Sequence, residues 1–548
     1  MIPLWLPVLA PIIVAAVGYY LHRRVFTWLL LLFQLAQVFV VSRLLLTVRT
    51  AGGVETVLGG WSQGIGIALR ADAISAPLVA LTGWFFLLLL VFNLNKRYMD
   101  RLFQFLLGTL QGLLIGILLA GDLFNMYVLL ELSTLVIAIL IMYKRNKQAI
   151  YNGMIYITVN LAGMSFMLLG VGFVYRTFGT LDLAQIAELA KQVSNPRVLI
   201  LPYALVITAI SVKAALFLLF GWLPPAHGAP SAPSVVSAVL SGLQVKAGVF
   251  LFIRYQAALG SVLPTREFFL IVGFLTAVSG FLLAIAQRDI KLILAYHTVS
   301  QIGLIMVGLN VGTDHAWWGA IYHIINHAFF KALLFLCAGL LIHVYGTRDV
   351  YRIRGVMRRM PLIGVATLAG VLGITGAPYF NGSVSKYLIQ SGWKVPVGEA
   401  AIHLINLGTA VSFVKYSTML FGRPQTDAQS PASAAQIPGP DAHSRQPDLF
   451  TSTIALVMGL ACLAGGVAAA PIISALFPVT LTVSGAYLTE KLVTFAITIA
   501  VAIAIYFGIV RRTHIFDYLR ALRVRLTDLS LGVFAFFAIT TDYLVIVV

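Results

Sequence analysis

The sequence predicts an all-α polytopic membrane protein, and three observations carry that prediction. Only 10% of the 548 residues are charged and 60% are hydrophobic, with a mean hydropathy of +0.95. A soluble domain carries about 25% charged residues. Apolar runs long enough to cross a bilayer core of about 30 Å, at about 1.5 Å per helical residue, recur about sixteen times. When the loops between those runs are assigned to alternating sides, the basic residues segregate. One side takes 22 lysines and arginines and the other 9, with six more inside the runs, which exhausts the 37 in the chain. The positive-inside rule makes the richer side cytoplasmic and both termini external, as for a multi-pass protein of a prokaryotic cell membrane.

The runs lie near 2–21, 25–47, 73–95, 102–120, 123–143, 150–175, 199–221, 235–256, 267–287, 291–309, 316–343, 361–379, 400–421, 451–477, 488–510 and 528–548. The first has no basic segment before it and no small-residue cleavage site, so it reads as a retained span rather than a signal peptide. The net charge of +18 sits in short loops, a pattern of membrane topology rather than of nucleic-acid binding. Cys337 and Cys462 each fall within an apolar run. Neither makes a CxxC, zinc or iron–sulfur spacing, and no GxGxxG or P-loop opens a helix. The expectation is therefore no cofactor, no metal and no redox site of the chain's own.

Three stretches fall outside the spans. Residues 49–72 are Gly-rich with β-forming side chains and predict a small external hairpin. Residues 179–197 begin GTLDLAQIAELAKQV, the pattern of a short amphipathic helix on the external surface. Residues 424–449 are rich in Pro, Ser, Ala and Gln, a composition that buries no core and predicts a disordered cytoplasmic linker.

Two spans are interrupted by Gly and Pro. One is KAALFLLFGWLPPAHGAPSAPSVVSAVLSG, from Lys213 to Gly242, and the other is GVLGITGAPYFNGSVSKYLIQSG, from Gly370 to Gly392. Such breaks are tolerated only where protein or a watery cavity satisfies the freed backbone groups. Paired breaks in two halves of a chain point to a transporter built from inverted repeats.

Buried charge supplies the candidate chemistry. Glu131 stands about ten residues from each end of GDLFNMYVLLELSTLVIAILI, near the bilayer midplane. An ionised carboxylate there costs about 2.5–3.5 kcal/mol even on lenient scales and requires a partner or a purpose. Lys213, just ahead of the first break, is the sharpest partner. The pair serves either as a proton switch or as a static tie between two helices. Lys246 is a solitary charge within VVSAVLSGLQVKAGVFLF and reads as a relay group or a packed, snorkelling lysine. His323, His327 and Lys331 follow at i, i+4 and i+8 on one helical face. Imidazoles suit proton relay, with polar packing and metal binding as the weaker readings, since no third ligand stands beside them. Lys386 follows the second break as an exit-side group, with a loop-edge lysine as the bland alternative. His227 in the first broken segment and Lys415 within the span 400–421 are even choices between function and packing. Asp122 reads as a helix cap, and the Asp289–Lys291 pair as a helix start.

These segments also carry a resemblance. GDLFNMYVLLELSTL, the Lys213 segment with GWLPPAH, SGLQVKAGVFLFIR, QRDIKLILAYHTVSQIGLIMVG, INHAFFKALLFLCAG and GAPYFNGSVSK occur in order from about residue 55 to about 422. Together they resemble the proton-conducting antiporter-like membrane subunits. That family includes the D-type subunit of Mrp-type cation/proton antiporters and the large membrane subunits of respiratory complex I and of membrane-bound hydrogenases. The lead-in to Glu131 is most similar to the Mrp and hydrogenase-linked members.

The resemblance implies a core of about fourteen helices with two inverted five-helix repeats, each containing a broken helix, and a divided chain. Residues 1–101 would form an N-terminal three-helix region, 102–256 the first repeat, 257–422 the second, 423–449 the linker and 450–548 the added C-terminal helices. It implies Glu131 and Lys213 as a coupling pair, Lys246 as a central lysine, His327 and Lys331 on a connecting polar axis, and Lys386 at the end of the second half-channel. The implied activity is proton translocation, exchanged for Na⁺ within a heteromeric membrane complex or driven by redox energy in a complex I-like assembly. Pro225 stands where an acidic residue commonly follows Trp-Leu-Pro, and Ser383 where an aromatic is usual.

Overall fold

The computed structural model describes residues 2–513 and 516, apart from 62, 63, 65, 95, 97, 229–231, 424–446 and 479–484. Among the described residues, thirteen helices are long and apolar enough to cross a membrane, and Leu6–Tyr19 and Pro361–Thr375 are shorter apolar helices. The first fifteen runs read from the sequence each have their helix. The sixteenth, 528–548, lies outside the described residues, as does nearly all of the linker.

Polar side chains start several of these helices. Asp100 accepts from the Phe103 amide, Asp122 from Asn125 and Asn146 from Ala149, so orphan N–H groups of each first turn are satisfied. The cap reading of Asp122 is thereby met.

The predicted hairpin is present as Val54–Val57 paired antiparallel with Ala68–Ala71, Val54 opposite Ala71. It docks on the start of the Glu131 helix through the Gly121 amide, which donates to the Ala68 carbonyl at 2.8 Å. The amphipathic helix is Leu183–Ala190, which buries Leu183, Ile186 and Ala190. Asp182 caps it through the Ala184 and Gln185 amides, both at 3.0 Å. Arg70 of the hairpin ties the corner together by pairing with Asp182 at 2.6 Å and Glu55 at 2.9 Å.

An internal repeat is visible in this framework. Helices Lys147–Phe178 and Asp314–Tyr345 are both 32 residues long. Asp122 is bridged to Asp182 as Asp289 is to Asp349. Every member of the second set lies 167 positions after its counterpart (122 and 289, 147 and 314, 182 and 349). The two copies face opposite ways. Lys144, at the far end of the Glu131 helix from Asp122, lines a cavity together with Asp289 and Asp349. The second copy of the aspartate bridge therefore sits at the opposite end of the bundle from the first.

Both interrupted segments are true breaks. The helix Ile200–Lys213 stops at Lys213, Ala215 and Leu218 take positive φ of 55° and 68°, and helix resumes at Leu223–Gly228. Pro361–Thr375 ends on Gly376 at φ 78°, Tyr379 sits at 68°, and helix resumes at Asn381–Gly392. Left-handed backbone at non-glycine residues is costly and persists only where its surroundings hold it. Here the Phe217 amide donates to Thr276 Oγ1 at 2.9 Å, and the Trp222 indole donates to the Val212 carbonyl at 2.9 Å. A third irregularity has no Gly-Pro signature. Leu240–Gln244 forms a π-turn directly before the helix that carries Lys246, and such bulges occur frequently at functional positions.

Candidate functional site

Glu131 lies mid-helix in Leu123–Ile141, and its Oε2 is buried without a hydrogen-bond partner among the described residues. Lys213, the last residue of its helix half, is buried and within electrostatic reach of that carboxylate. Its ammonium donates instead to Thr134 Oγ1, one turn along the helix of Glu131. The direct pair expected from sequence is thus a triad, in which a hydroxyl holds the ammonium while the carboxylate keeps a free oxygen. Next to Thr134, Ser133 Oγ accepts from Gln244 Nε2 at 3.0 Å. That bond joins the Glu131 helix to the π-turn before Lys246.

Lys246 is buried beside the π-turn. Its Nζ donates to the Ser241 carbonyl at 2.5 Å and shares a 2.6 Å hydrogen bond with His327 Nδ1. The π-turn places the Ser241 carbonyl where the lysine five residues on reaches it. Ser241 Oγ in turn bonds Thr298 Oγ1 at 2.7 Å. His327 Nε2 is buried without a partner among the described residues.

The three groups predicted to share a face of Asp314–Tyr345 do so, but they serve different neighbours. His327 meets Lys246. His323, with its ring centre 6.2 Å from that of His327, bonds Ser385 Oγ at 2.9 Å through Nδ1 and Gln301 Oε1 at 3.0 Å through Nε2. Lys331 Nζ donates to the Leu294 carbonyl at 2.6 Å and lies 5.8 Å from the Phe335 ring centre. Ser385 is the immediate neighbour of Lys386, whose Nζ donates to the Ile374 carbonyl at 2.8 Å. That carbonyl belongs to the last turn before the second break, so the lysine satisfies a group that the break releases.

The even choices separate on this geometry. Lys415 Nζ donates to the carbonyls of Ala284, Ile285 and Gln287, the C-terminal end of Arg266–Ala286. An ammonium there neutralises orphan carbonyls and the helix dipole, a structural role that accounts for its burial. His227 is fully buried, stacks on Phe335 at 4.8 Å, and has both ring nitrogens without partners among the described residues. His297, which sequence reasoning passed over, is equally buried, tilts against Phe413 at 4.7 Å, and also leaves both nitrogens unpartnered there. Sequence reasoning likewise passed over Ser133, Thr134, Gln244, Ser241, Gln301 and Ser385. Each is a polar residue in an apolar helix, but that signal is weak because Ser and Thr in membrane helices commonly bond their own backbone.

Among the described residues no group of three or more His, Cys, Asp or Glu is arranged to hold a metal. What the fold defines is a multi-pass helical membrane protein with two oppositely oriented, interrupted halves. The site adds a string of lysines and imidazoles along its middle.

The particular family follows from comparison. Residues 120–411 match the profile of the NADH:quinone oxidoreductase/Mrp antiporter transmembrane family. NADH-quinone oxidoreductase subunit N of Desulforudis audaxviator is 33% identical over 394 residues, which is 68% of this chain and 77% of that protein. The D-type subunit of the Na(+)/H(+) antiporter of Bacillus subtilis is 28% identical over 423 residues, 76% of this chain and 85% of that protein. A chain of the Mrp complex from Dietzia sp. DQ12-45-1b superposes with a TM-score of 0.76 at 24% identity, covering 93% of this chain and 98% of that one. The chain belongs to this antiporter-like family, as its motifs implied.

Proposed function

We propose that the chain carries protons across the membrane as one subunit of a multisubunit Na⁺/H⁺ antiporter. The observation that carries this reading is the Lys246–His327 contact. Two basic groups, both buried, share one hydrogen bond at 2.6 Å, with no carboxylate bonded to either among the described residues. Two positive charges at that separation repel by about 6 kcal/mol at an effective dielectric constant of about 20. The pair therefore holds one proton, and a second arriving proton must push the first onward. Glu131 and Lys213 lie on one side of this pair, connected through Ser133 and Gln244. His323, Ser385 and Lys386 lie on the other. Glu131 acts as the carboxylate whose approach to or withdrawal from Lys213 alters the hold on the next proton. Lys331 flanks His327 as the next group to take the proton, and His227 lies near it as a further transfer group. The six groups Glu131, Lys213, Lys246, His327, Lys331 and Lys386 are assigned to translocation. Lys415 is assigned to the fold.

A second reading has its own observation. The identity of 33% to a subunit named for NADH-quinone oxidoreductase favours the same path working as the pump module of a redox-driven assembly. In either assembly the chain sits in a prokaryotic plasma membrane beside other membrane subunits, with its basic loops in the cytoplasm. Affinity purification of the intact complex decides between them. Small hydrophobic antiporter subunits as partners support the first reading, and co-purifying iron–sulfur proteins support the second.

A further inference from the structure

At the end of the bundle away from Asp122, a cavity of about 540 Å³ opens between the two copies of the repeat. Lys144, Arg288, Lys291, Arg348 and Arg352 line it, against Asp289 and Asp349 as the only carboxylates among the described residues. Both carboxylates are already engaged by the chain. Asp289 Oδ1 accepts from the Lys291 and Leu292 amides at 2.8 and 3.2 Å, and its Oδ2 pairs with Arg348 at 2.9 Å. Asp349 accepts from the Tyr351 amide at 2.8 Å.

Five cationic side chains thus face two carboxylates among the described lining residues, and the cations repel one another. Arg348 acts on Lys144, and both act on Lys291. Lys291 is 5% exposed, with its Nζ bonded to the Ala232 carbonyl at 3.0 Å, so a buried amine forms part of the wall. The repeat itself does not require this arrangement. The matching corner at Asp122 and Asp182 has the opposite balance, with Arg70 pairing both Asp182 and Glu55. A half-open cavity with converging guanidinium and ammonium groups is built for an oxyanion, because arginine forks match phosphate oxygens in pairs.

We propose that this cavity binds a phosphate oxyanion, either inorganic phosphate or the phosphodiester headgroup of an anionic lipid. The bound group neutralises the excess charge and fastens the two copies of the repeat to each other at that end. The assignment stands apart from the proton path, none of whose residues lines the cavity.

The test uses the full chain purified with its accompanying subunits, at low ionic strength. Two radiolabelled probes are measured separately: orthophosphate and dihexanoyl phosphatidylglycerol. Wild type is compared with R352Q, with R288Q/R352Q, and with R358Q, which removes one exposed charge outside the cavity. Saturable binding of at least one probe is expected in wild type, weakened about tenfold in R288Q/R352Q and less in R352Q, and unchanged in R358Q. Binding of the lipid probe alone, or its displacement of orthophosphate, identifies a headgroup as the source. Orthophosphate binding that the lipid leaves undisturbed identifies the free anion. No saturable binding of either probe to wild type, or equal weakening in R358Q, overturns the proposal.

Discussion

Replacing His327 by leucine removes the only side chain among the described residues that bonds the Lys246 ammonium; the Ser241 carbonyl at 2.5 Å remains. A hydrogen bond involving a charged group contributes about 1.5–3 kcal/mol. At about 1.4 kcal/mol per factor of ten, the equilibrium of the proton on this pair shifts by about 10–100-fold. Proton transport measured by fluorescence dequenching in everted vesicles, normalised to the amount of complex, should fall by about that factor. His327→Gln separates two roles for the same contact. An amide keeps a hydrogen-bond acceptor beside Lys246 but takes up no proton at neutral pH, so a relay role predicts that Gln is as impaired as Leu. A merely positioning role predicts recovery in the Gln variant. Wild-type rates in His327→Gln would refute the relay, and wild-type rates in both variants would refute any role for the contact.

Lys415→Met should lower stability by about 2–5 kcal/mol, because three carbonyls at the end of Arg266–Ala286 lose their donor. Thermal unfolding in detergent reads this as a drop in Tm, and transport per folded complex should stay near wild type; lost transport at unchanged Tm contradicts the capping role. Gly382→Ala places a methyl group 1.9 Å from the Gly373 carbonyl oxygen, so the halves of the second broken helix must part. Expression or Tm should fall by the equivalent of several kcal/mol, and an unchanged Tm would show that the halves are not packed this closely. Asp72 supplies a pH dependence. Burial pushes its carboxyl up, but the Arg254 guanidinium at 2.5 Å and the local amides outweigh that and hold it below the ordinary carboxylate value. Its stabilisation is therefore fully present above an ordinary value of about 3.9 and is lost as pH falls through the lower folded value. Asp72→Asn should cost about 1 kcal/mol at neutral pH, discounted for partial exposure, and flatten the acid side of a Tm–pH profile; a parallel profile would contradict the pairing.

The helices were legible because hydropathy acts over whole segments, and local packing does not override it. The hairpin at 54–71 and the helix after Asp182 were legible because their turn and capping residues are local. The two breaks were legible from Gly and Pro and pointed to a repeat, but the register of that repeat was not legible, because its signal lies elsewhere. It lies in two aspartates per copy, Asp122 with Asp182 and Asp289 with Asp349, rather than in the broken segments. The π-turn at 240–244 has no local signature, since its Ser, Gly and Leu residues suit an ordinary helix equally well.

At the site, the charged members stood out because charge inside an apolar run is costly. Their partners did not, because Thr134, Ser133, Gln244 and Ser385 become informative only when another helix brings a lysine or imidazole against them. Lys415 shows the converse: a buried lysine whose meaning is fixed by three carbonyls 128–131 positions away in sequence. The Asp289–Lys291 cluster does start the helix Ile290–Asn310, capped by Asp289, and Lys291 is in addition buried in the wall of a cationic cavity.

The most direct test of the proton path returns to its only mid-membrane carboxylate among the spans described, Glu131. Everted vesicles containing wild type, Glu131→Gln or Lys213→Ala are energised and then challenged with Na⁺ or with the redox substrate of the partners that co-purify. The account predicts that both variants assemble to wild-type levels and lose the proton signal. Assembled complexes of both variants that move protons at the wild-type rate would contradict it.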